Sequence, residues 1–528
     1  MLAHGAGLCY IEGAFHAFYK EALGLTKLSA RERARLGLLA LLIVAAVLFF
    51  CSKSSPAYPI NDWSVANIYF SAGKGMLAGR VMYRDLYDHK GPLIYALHAL
   101  CALACPADFT GVWVLEILFA AAFLLESYRT VRAMAGKRAA FVSVPLTALC
   151  AYTAYCFQAG DSAEELALPM ILLVQLHWLD ALESGKPAPI GRLLGDGFLF
   201  GCVFWMKFTL CGAPGMALLL GCLWAARQNG AKGFFRCLGG LAAGFLLSML
   251  PWLMYFGLNG AITDWLKTYL YDNLFLYSGG EGGLLWRAKQ MVKSGWEWLT
   301  RSPLCALSVC AGVSASCFGP GKNGWRRLSW LLPFLLGALG VFIGGKTYPY
   351  YPLALAAFLP CFFGWAGGLL EKPLSRVSKR AYGCAAAILC GLCVLLCPVL
   401  SSNVKESFGQ PRSETMQYQF AARMAETPGA TLLNYGFMDA GFYTAAQITP
   451  NVKYYHQTNV PLREMLDEQV RYIHDGVCDY VVTRGRQPED ILETYDLIAT
   501  AETPEDFWYD QVYLYRRKGL TESTANPS

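Results

Sequence analysis

Long apolar runs, broken by short polar turns, dominate the first four hundred residues of this chain. Runs long enough to cross bilayer hydrocarbon, allowing short ones near a cavity, occur at about 36–51, 110–128, 139–157, 163–182, 193–206, 209–226, 237–257, 303–319, 328–344, 352–370 and 381–400. They predict an α-helical polytopic membrane domain over 36–400 with about eleven transmembrane helices. A further apolar stretch at 92–105 is short. Counting it as a span would place "YRTVRAMAGKR" outside and reverse every later loop, against the preference for basic segments on the inner side. It is therefore read as a juxtamembrane or re-entrant helix. The inner segments then become "KLSARERAR", "YRTVRAMAGKR", "ESGKPAPIGR", "RQNGAKGFFR", "GPGKNGWRR" and "EKPLSRVSKR", all of them basic. The short outer loop "FQAGDSAEE" carries no Lys or Arg. This orientation puts residues 1–35 in the cytoplasm and the C-terminus outside an inner, plasma-type membrane.

Three polar regions then lie on the outer face: a first loop at 52–109, a second at 258–302, and everything after residue 400. Both loops are too polar for lipid and too long for linkers, so they are candidate walls of a site. The Trp and Tyr spacing of the second suits amphipathic helices lying in the interface. After Pro398 the pattern changes. "ATLLNYGF", "VCDYVVTRG" and "QVYLYRRKG" read as strands and "REMLDEQVRYIHDG" as an amphipathic helix, so 401–528 is expected to be a small extracytoplasmic α/β domain. Gly436 and Gly441 form no phosphate-binding fingerprint, and no nucleotide is assigned to it.

Composition supports this placement. Of 528 residues, 55% are hydrophobic and 16% charged, beyond the apolar content of ordinary soluble domains. The 14% aromatic content suits interfacial belts and a wet cavity. A net charge of +6 is modest, and nothing points to nucleic acid. Nearly all of the 19 cysteines lie in apolar runs, Cys478 being the exception in the polar C-terminal part, so a disulfide framework is not expected. "CGLC" at Cys390–Cys393 reads as small residues packing a helix. "LGLLALLIVAAVLFF" follows a polar stretch of over thirty residues and reads as a retained first span.

The candidate chemistry sits in the outer loops. "NDWSVANIYFSAGKGML" opens with Asn61-Asp62, either of which can cap a helix running to about Met76. A second acid-rich turn, "YRDLYDHKGPLIY", follows about 25 residues later. Acids converging at an interface bind cations or act as general bases. This arrangement resembles the first loop of membrane glycosyltransferases of the GT-C fold, in particular the bacterial aminoarabinose transferases and protein O-mannosyltransferases. In those families an acid-His-Pro-Pro or Glu-Lys-Pro turn stands where this chain has Asp88-His89-Lys90-Gly91-Pro92. "GFLFGCVFWMKFTLCGAPGMALLLG" is similar to the paired short helices with a lysine at their outer junction, here Lys207. "GGKTYPYYPLALAAFLP" resembles a later Tyr/His-rich turn before a span and contributes Tyr348 and Tyr350, the latter where many relatives carry His. Gly91 replaces the first proline of the usual pair.

The resemblance implies a polyprenyl-phosphate-linked sugar as donor, an acceptor on the outer face, and an outer-loop aspartate as base, matched by Asp62. Attack of a hydroxyl on the anomeric carbon requires a carboxylate for its proton, and a lipid-phosphate leaving group requires cations. Lys90 and Lys207 are the candidates, with Lys346 and Arg84 behind them; a snorkelling lysine at a helix end is the plainer account of each. Asp88 and His89 are candidate ligands of a divalent metal, the alternative being that Asp88 pairs with Lys90. Asp161, Glu164 and Glu165 could supply further ligands or touch the sugar, or form a solvated turn. Glu116 could border the same cavity. His177, Asp180 and Asp196 fall near inner helix ends, where interfacial placement explains them. A transporter or flippase of lipid-linked precursors is the rival class, but should carry polar residues at the midplane of broken helices, often with internal repeats. A polysaccharide polymerase or ligase shares the topology but usually has its large outer loop late among the spans.

Overall fold

The computed structural model describes residues 29–277, 282–318, 324–485, 487–503 and 511–520. Most of the expected cytoplasmic segment 1–35 therefore lies outside the described residues. The chain divides into two compact units, taken in turn below: one formed by Met1–Ser52, Glu116–Leu250 and Gly282–Glu406, the other by Lys53–Leu115, Pro251–Glu281 and Ser407–Ser528.

The first unit is a bundle of apolar helices. Among the described residues, six helices are long and apolar enough to cross a membrane, or seven if the bent pair Leu285–Arg301 and Pro303–Phe318 forms one span. Helix Ala30–Cys51 starts with a capping box, in which Ser29 accepts from Glu32 N–H while the Glu32 carboxylate accepts from Ser29 N–H. The two longest helices contain 43 and 47 residues, about 65–70 Å of helix, roughly twice the hydrocarbon thickness. Each is broken near its middle, Thr110–Tyr152 at Gly136 and Gly212–Leu258 at Asn229 and Gly230. Gly230 has φ +60°, a backbone that side-chain-bearing residues rarely adopt, and the basic run "RQNGAKGFFR" folds around it. The apolar surface is sorted as lipid contact requires. Helix Ala163–Ser184 is 78% buried across its most apolar window, whereas Lys379–Leu400 is 17% buried and exposes Ile388, Leu392, Leu395 and Val399. The chain is thus an integral membrane protein whose apolar segments are helical, as their length predicts.

The second unit holds the polar loops. Residues 92–104 form a 13-residue helix, Pro92–Ala104, with Gly91 as N-cap and Pro92 in its first turn. At about 20 Å it is too short to span. It packs on helix Ser64–Leu77. Ile60, Ala66, Phe70, Cys101, Phe109 and Val112 of the first loop share one apolar core with Ala421 and Ala445. The C-terminal segment contributes a four-stranded sheet of order β1-β2-β4-β3, with β1 Leu432–Tyr435, β2 Tyr480–Arg484, β3 Tyr495–Glu502 and β4 Gln511–Arg517. β1 runs parallel to β2, and the other pairs are antiparallel. Helix Arg463–His474 lies where the sequence places it. β3 was not foreseen: it is an edge strand whose residues are largely exposed, so "YDLIATAE" lacks a clear apolar face.

Candidate active site

Three polar constellations emerge, two in the loop unit and one in the helical unit. The first is the turn Asp88-His89-Lys90. Tyr83, in the left-handed region at φ +70°, donates its hydroxyl proton to Lys90 C=O at 2.7 Å. Tyr95 accepts from Lys90 N–H at 3.0 Å and donates to Asp88 Oδ2 at 2.6 Å. Asn273, in the π-helical stretch Lys267–Tyr277, donates to His89 C=O at 2.6 Å, and Tyr87 N–H donates to Lys453 C=O at 2.9 Å. The turn is thus clamped by both loops and by the C-terminal segment.

Its side chains form a chain of contacts. Lys90 Nζ stands 2.8 Å from His89 Nε2, and His89 Nδ1 stands 3.3 Å from Asp88 Oδ1. With the ammonium donating, Nε2 is the acceptor and the imidazole proton sits on Nδ1, facing Asp88. The His89 ring lies over Tyr277, 4.8 Å between centroids, with Lys90 Nζ 5.9 Å from the same ring. Burial alone would raise the Asp88 carboxyl, but the His89 imidazole, with Lys90 and then His456, outweighs it and holds the group well below the usual carboxylate range. Asp88 is 3% exposed and stays ionised, which suits positioning rather than proton transfer. As candidate metal ligands, Asp88 and His89 face each other, and the other imidazole nitrogen, Nε2, is taken by the Lys90 ammonium. Among the described residues no group of three or more His, Cys, Asp or Glu side chains is placed to hold a metal.

The second constellation is Asp62. Its Oδ1 takes a 2.8 Å ion pair from Lys53, a lysine whose side chain is 7% exposed, while Asp62 itself is 45% exposed. It does not cap the following helix: Ser64–Leu77 has Trp63 as N-cap without a side-chain bond, and Asn61 Oδ1 accepts from Trp63 N–H. Asp62 is therefore an accessible carboxylate held by a buried cation. Arg84 is already engaged, making a two-point pair with Asp85 at 2.8 and 2.9 Å and donating to Asn259 C=O at 2.7 Å.

Behind the turn lies a buried network that the sequence did not reveal. Asp439 accepts from Ser71 at 2.8 Å and from Asn434 at 3.0 Å, and burial pushes its carboxyl up. His456 is 1% exposed, and burial pulls its imidazole down against the opposing fields of Asp88 and Asp439. Burial also pulls the Lys74 ammonium down to about 8. No spacing rule links residues this far apart in sequence.

The third constellation, in the helical unit, gathers Asp161, Glu164 and Glu165, expected as one group, with Glu116, expected to border the same cavity, and Lys207, expected from a different motif. All four acids are at most 1% exposed, so the solvated-turn account of Asp161, Glu164 and Glu165 does not hold. Ser52 donates to both oxygens of Glu116 at 3.0 and 2.8 Å. Asp161 N–H donates to Glu116 at 3.0 Å and to Glu165 at 2.9 Å. Gly160, at φ +87°, permits this approach, since a Cβ there would collide with Glu116 and with Ser52 Oγ. Lys207 lies where helix Ile190–Met206 ends, as the sequence motif requires. Its ammonium is ion-paired to Glu164 and sits 3.6 Å from the Tyr351 ring centroid and 5.3 Å from that of Tyr350. Tyr348 stacks on Tyr350 at 6.0 Å; Lys346, just before them, is half-buried.

No family model and no curated protein matches the sequence. Solved structures do. The crystal structure of ArnT from Cupriavidus metallidurans bound to undecaprenyl phosphate superposes with a TM-score of 0.53 at 13% identity, covering 92% of this chain and 98% of that one. Its apo state gives 0.53 at 12% identity, with 91% and 97% covered. Arabinofuranosyltransferase AftD from Mycobacteria covers 93% of this chain but 42% of its own, at 13% identity and a TM-score of 0.43, too distant to argue from. The fold is accordingly of the GT-C kind, as the first-loop motif implied. Within that class it resembles ArnT, an aminoarabinose transferase, over nearly the whole of both chains.

Proposed function

We propose that this protein transfers a sugar from a polyprenyl-phosphate donor to an acceptor on the outer face of the membrane. The observation that carries the reading is the end-to-end likeness to a structure holding undecaprenyl phosphate, joined to a loop unit that presents an accessible carboxylate and a clamped Lys-His-Asp turn. The acceptor hydroxyl oxygen attacks the anomeric carbon, the bond from that carbon to the phosphate oxygen breaks, and Asp62 takes the hydroxyl proton. Polyprenyl phosphate leaves with an added negative charge. Lys90 neutralises it, its Nζ steered by His89, which Asp88 holds in turn. Being half-exposed, Asp62 returns its proton to water.

Lys90→Ala should weaken binding of polyprenyl phosphate by about ten- to a hundredfold, the usual cost of one charge-assisted contact. A lipid titration of the purified variant measures this, and unchanged affinity would remove Lys90 from the donor site.

The same reading sets the protein in the membrane with about eleven crossings, the N-terminus inside and the loop unit outside. Cysteine-accessibility mapping in intact cells should find 129–138 shielded and residues after 407 labelled. Labelling of 129–138 from outside would reverse the orientation.

A further inference from the structure

Away from the residues assigned to sugar transfer, the helical unit contains a cavity of about 350 Å³ at the ends of helices Ala163–Ser184 and Ile190–Met206 and beside the break in Gly212–Leu258. Two of the basic turns, "ESGKPAPIGR" and "RQNGAKGFFR", converge there and supply Lys186, Lys232 and Arg236 to its lining. All three are exposed. The one acid in the wall, Asp196, is held by His177 Nδ1 at 2.5 Å. Deeper in, the wall is apolar, with Leu193, Leu218 and Leu241 beside Trp178 and Trp224. The indole N–H groups of both tryptophans are buried without a hydrogen-bond partner, although a buried donor ordinarily finds one.

We propose that this cavity holds an anionic phospholipid, its phosphate against the three cations and the start of its acyl chains along the leucine and tryptophan wall. A soluble anion would have no use for so apolar a lining, and a zwitterionic lipid would gain little from three cations around one acid. The neighbouring surface of Gly212–Leu258 exposes Leu219, Leu223 and Leu238, so hydrocarbon from the bilayer continues to the cavity. Basic pockets between membrane helices favour such headgroups, and a Lys or Arg near an anionic lipid surface contributes about 1 kcal/mol, or roughly fivefold in affinity for each. Placement in the inner leaflet follows from the orientation proposed above, whereas binding itself does not depend on it.

The test is native mass spectrometry of the full chain in detergent, titrated with dioleoylphosphatidylglycerol, with dioleoylphosphatidylcholine, or with inorganic phosphate as competitor. The wild type should retain phosphatidylglycerol in preference to phosphatidylcholine and lose none of it to inorganic phosphate. The triple variant Lys186→Gln, Lys232→Gln, Arg236→Gln should lower that affinity by roughly a hundredfold, about fivefold per charge. Gly221→Leu leaves every charge in place but fills the space: a Cβ there meets only Trp178, at 3.9 Å, and the longer side chain should displace the lipid. Equal retention of the two lipids, or wild-type affinity in both variants, would overturn the proposal. Displacement by inorganic phosphate would refute the lipid and leave a soluble-anion site.

Discussion

Asp62→Asn should lower turnover by roughly a hundred- to ten-thousandfold, the range general bases supply, with donor affinity nearly unchanged. The substitution is close to isosteric, and an amide oxygen can still accept from Lys53 Nζ, now 2.8 Å from Asp62 Oδ1. What disappears is the basic oxygen. Asp62 caps no helix and is 45% exposed, and the amide oxygen keeps an acceptor in front of the buried Lys53 ammonium, so the variant should fold as the wild type does. Single-turnover and equilibrium-binding measurements on the same preparation separate the two effects. Transfer at the wild-type rate would move the base elsewhere. A parallel loss of donor binding would make Asp62 a binding residue instead.

A second large effect belongs to Lys207, and it concerns stability. Its ammonium and the Glu164 carboxylate are 10% and 1% exposed, and the Tyr351 ring closes over the ammonium. Removing one member of such a pair leaves an uncompensated buried charge, which costs about 3–5 kcal/mol. Lys207→Ala should therefore melt well below the wild type in detergent. Replacing both members, Lys207→Met with Glu164→Gln, should restore much of the loss. If Lys207→Ala instead melts normally and loses donor affinity, the lysine serves the phosphate, as the sequence motif alone had implied.

How much of this was legible before the structure depends on the range of the interaction. Apolar run length reports the helices because hydrocarbon imposes it locally: every run from 36–51 to 381–400 is helical over most of its length. The 92–105 segment could be read for the same reason, being too short to span. The Asp88-His89-Lys90 turn was visible as a local cluster, and Lys207 as a junction. Partners at long range were not. Ser71 meets Asp439 across 368 residues, Asn273 reaches His89 across 184, and Glu116 joins Asp161 across 45. Lys53 is a different failure. Only nine residues from Asp62, it carries no signal of its own in the sequence, since a lysine at the end of a span is ordinarily a surface anchor, whereas here it is buried against the carboxylate. The cap expected of Asn61 or Asp62 failed for a related reason, since the helix begins later, after Trp63, and frees the aspartate. The C-terminal segment looked self-sufficient in its strand and helix pattern. That pattern could not show that Ala421 and Ala445 complete a core begun by the first loop.

The most direct test supplies purified full chain, in lipid vesicles, with lipid-linked sugars extracted from cell membranes and an outer-face glycan or lipid extract as acceptor, and measures free polyprenyl phosphate by mass spectrometry. The account predicts that polyprenyl phosphate accumulates with the wild type and falls with Asp62→Asn to the residual level expected of a lost base. Donors that remain intact while crossing the vesicle bilayer would contradict it and identify a carrier of lipid-linked sugars instead.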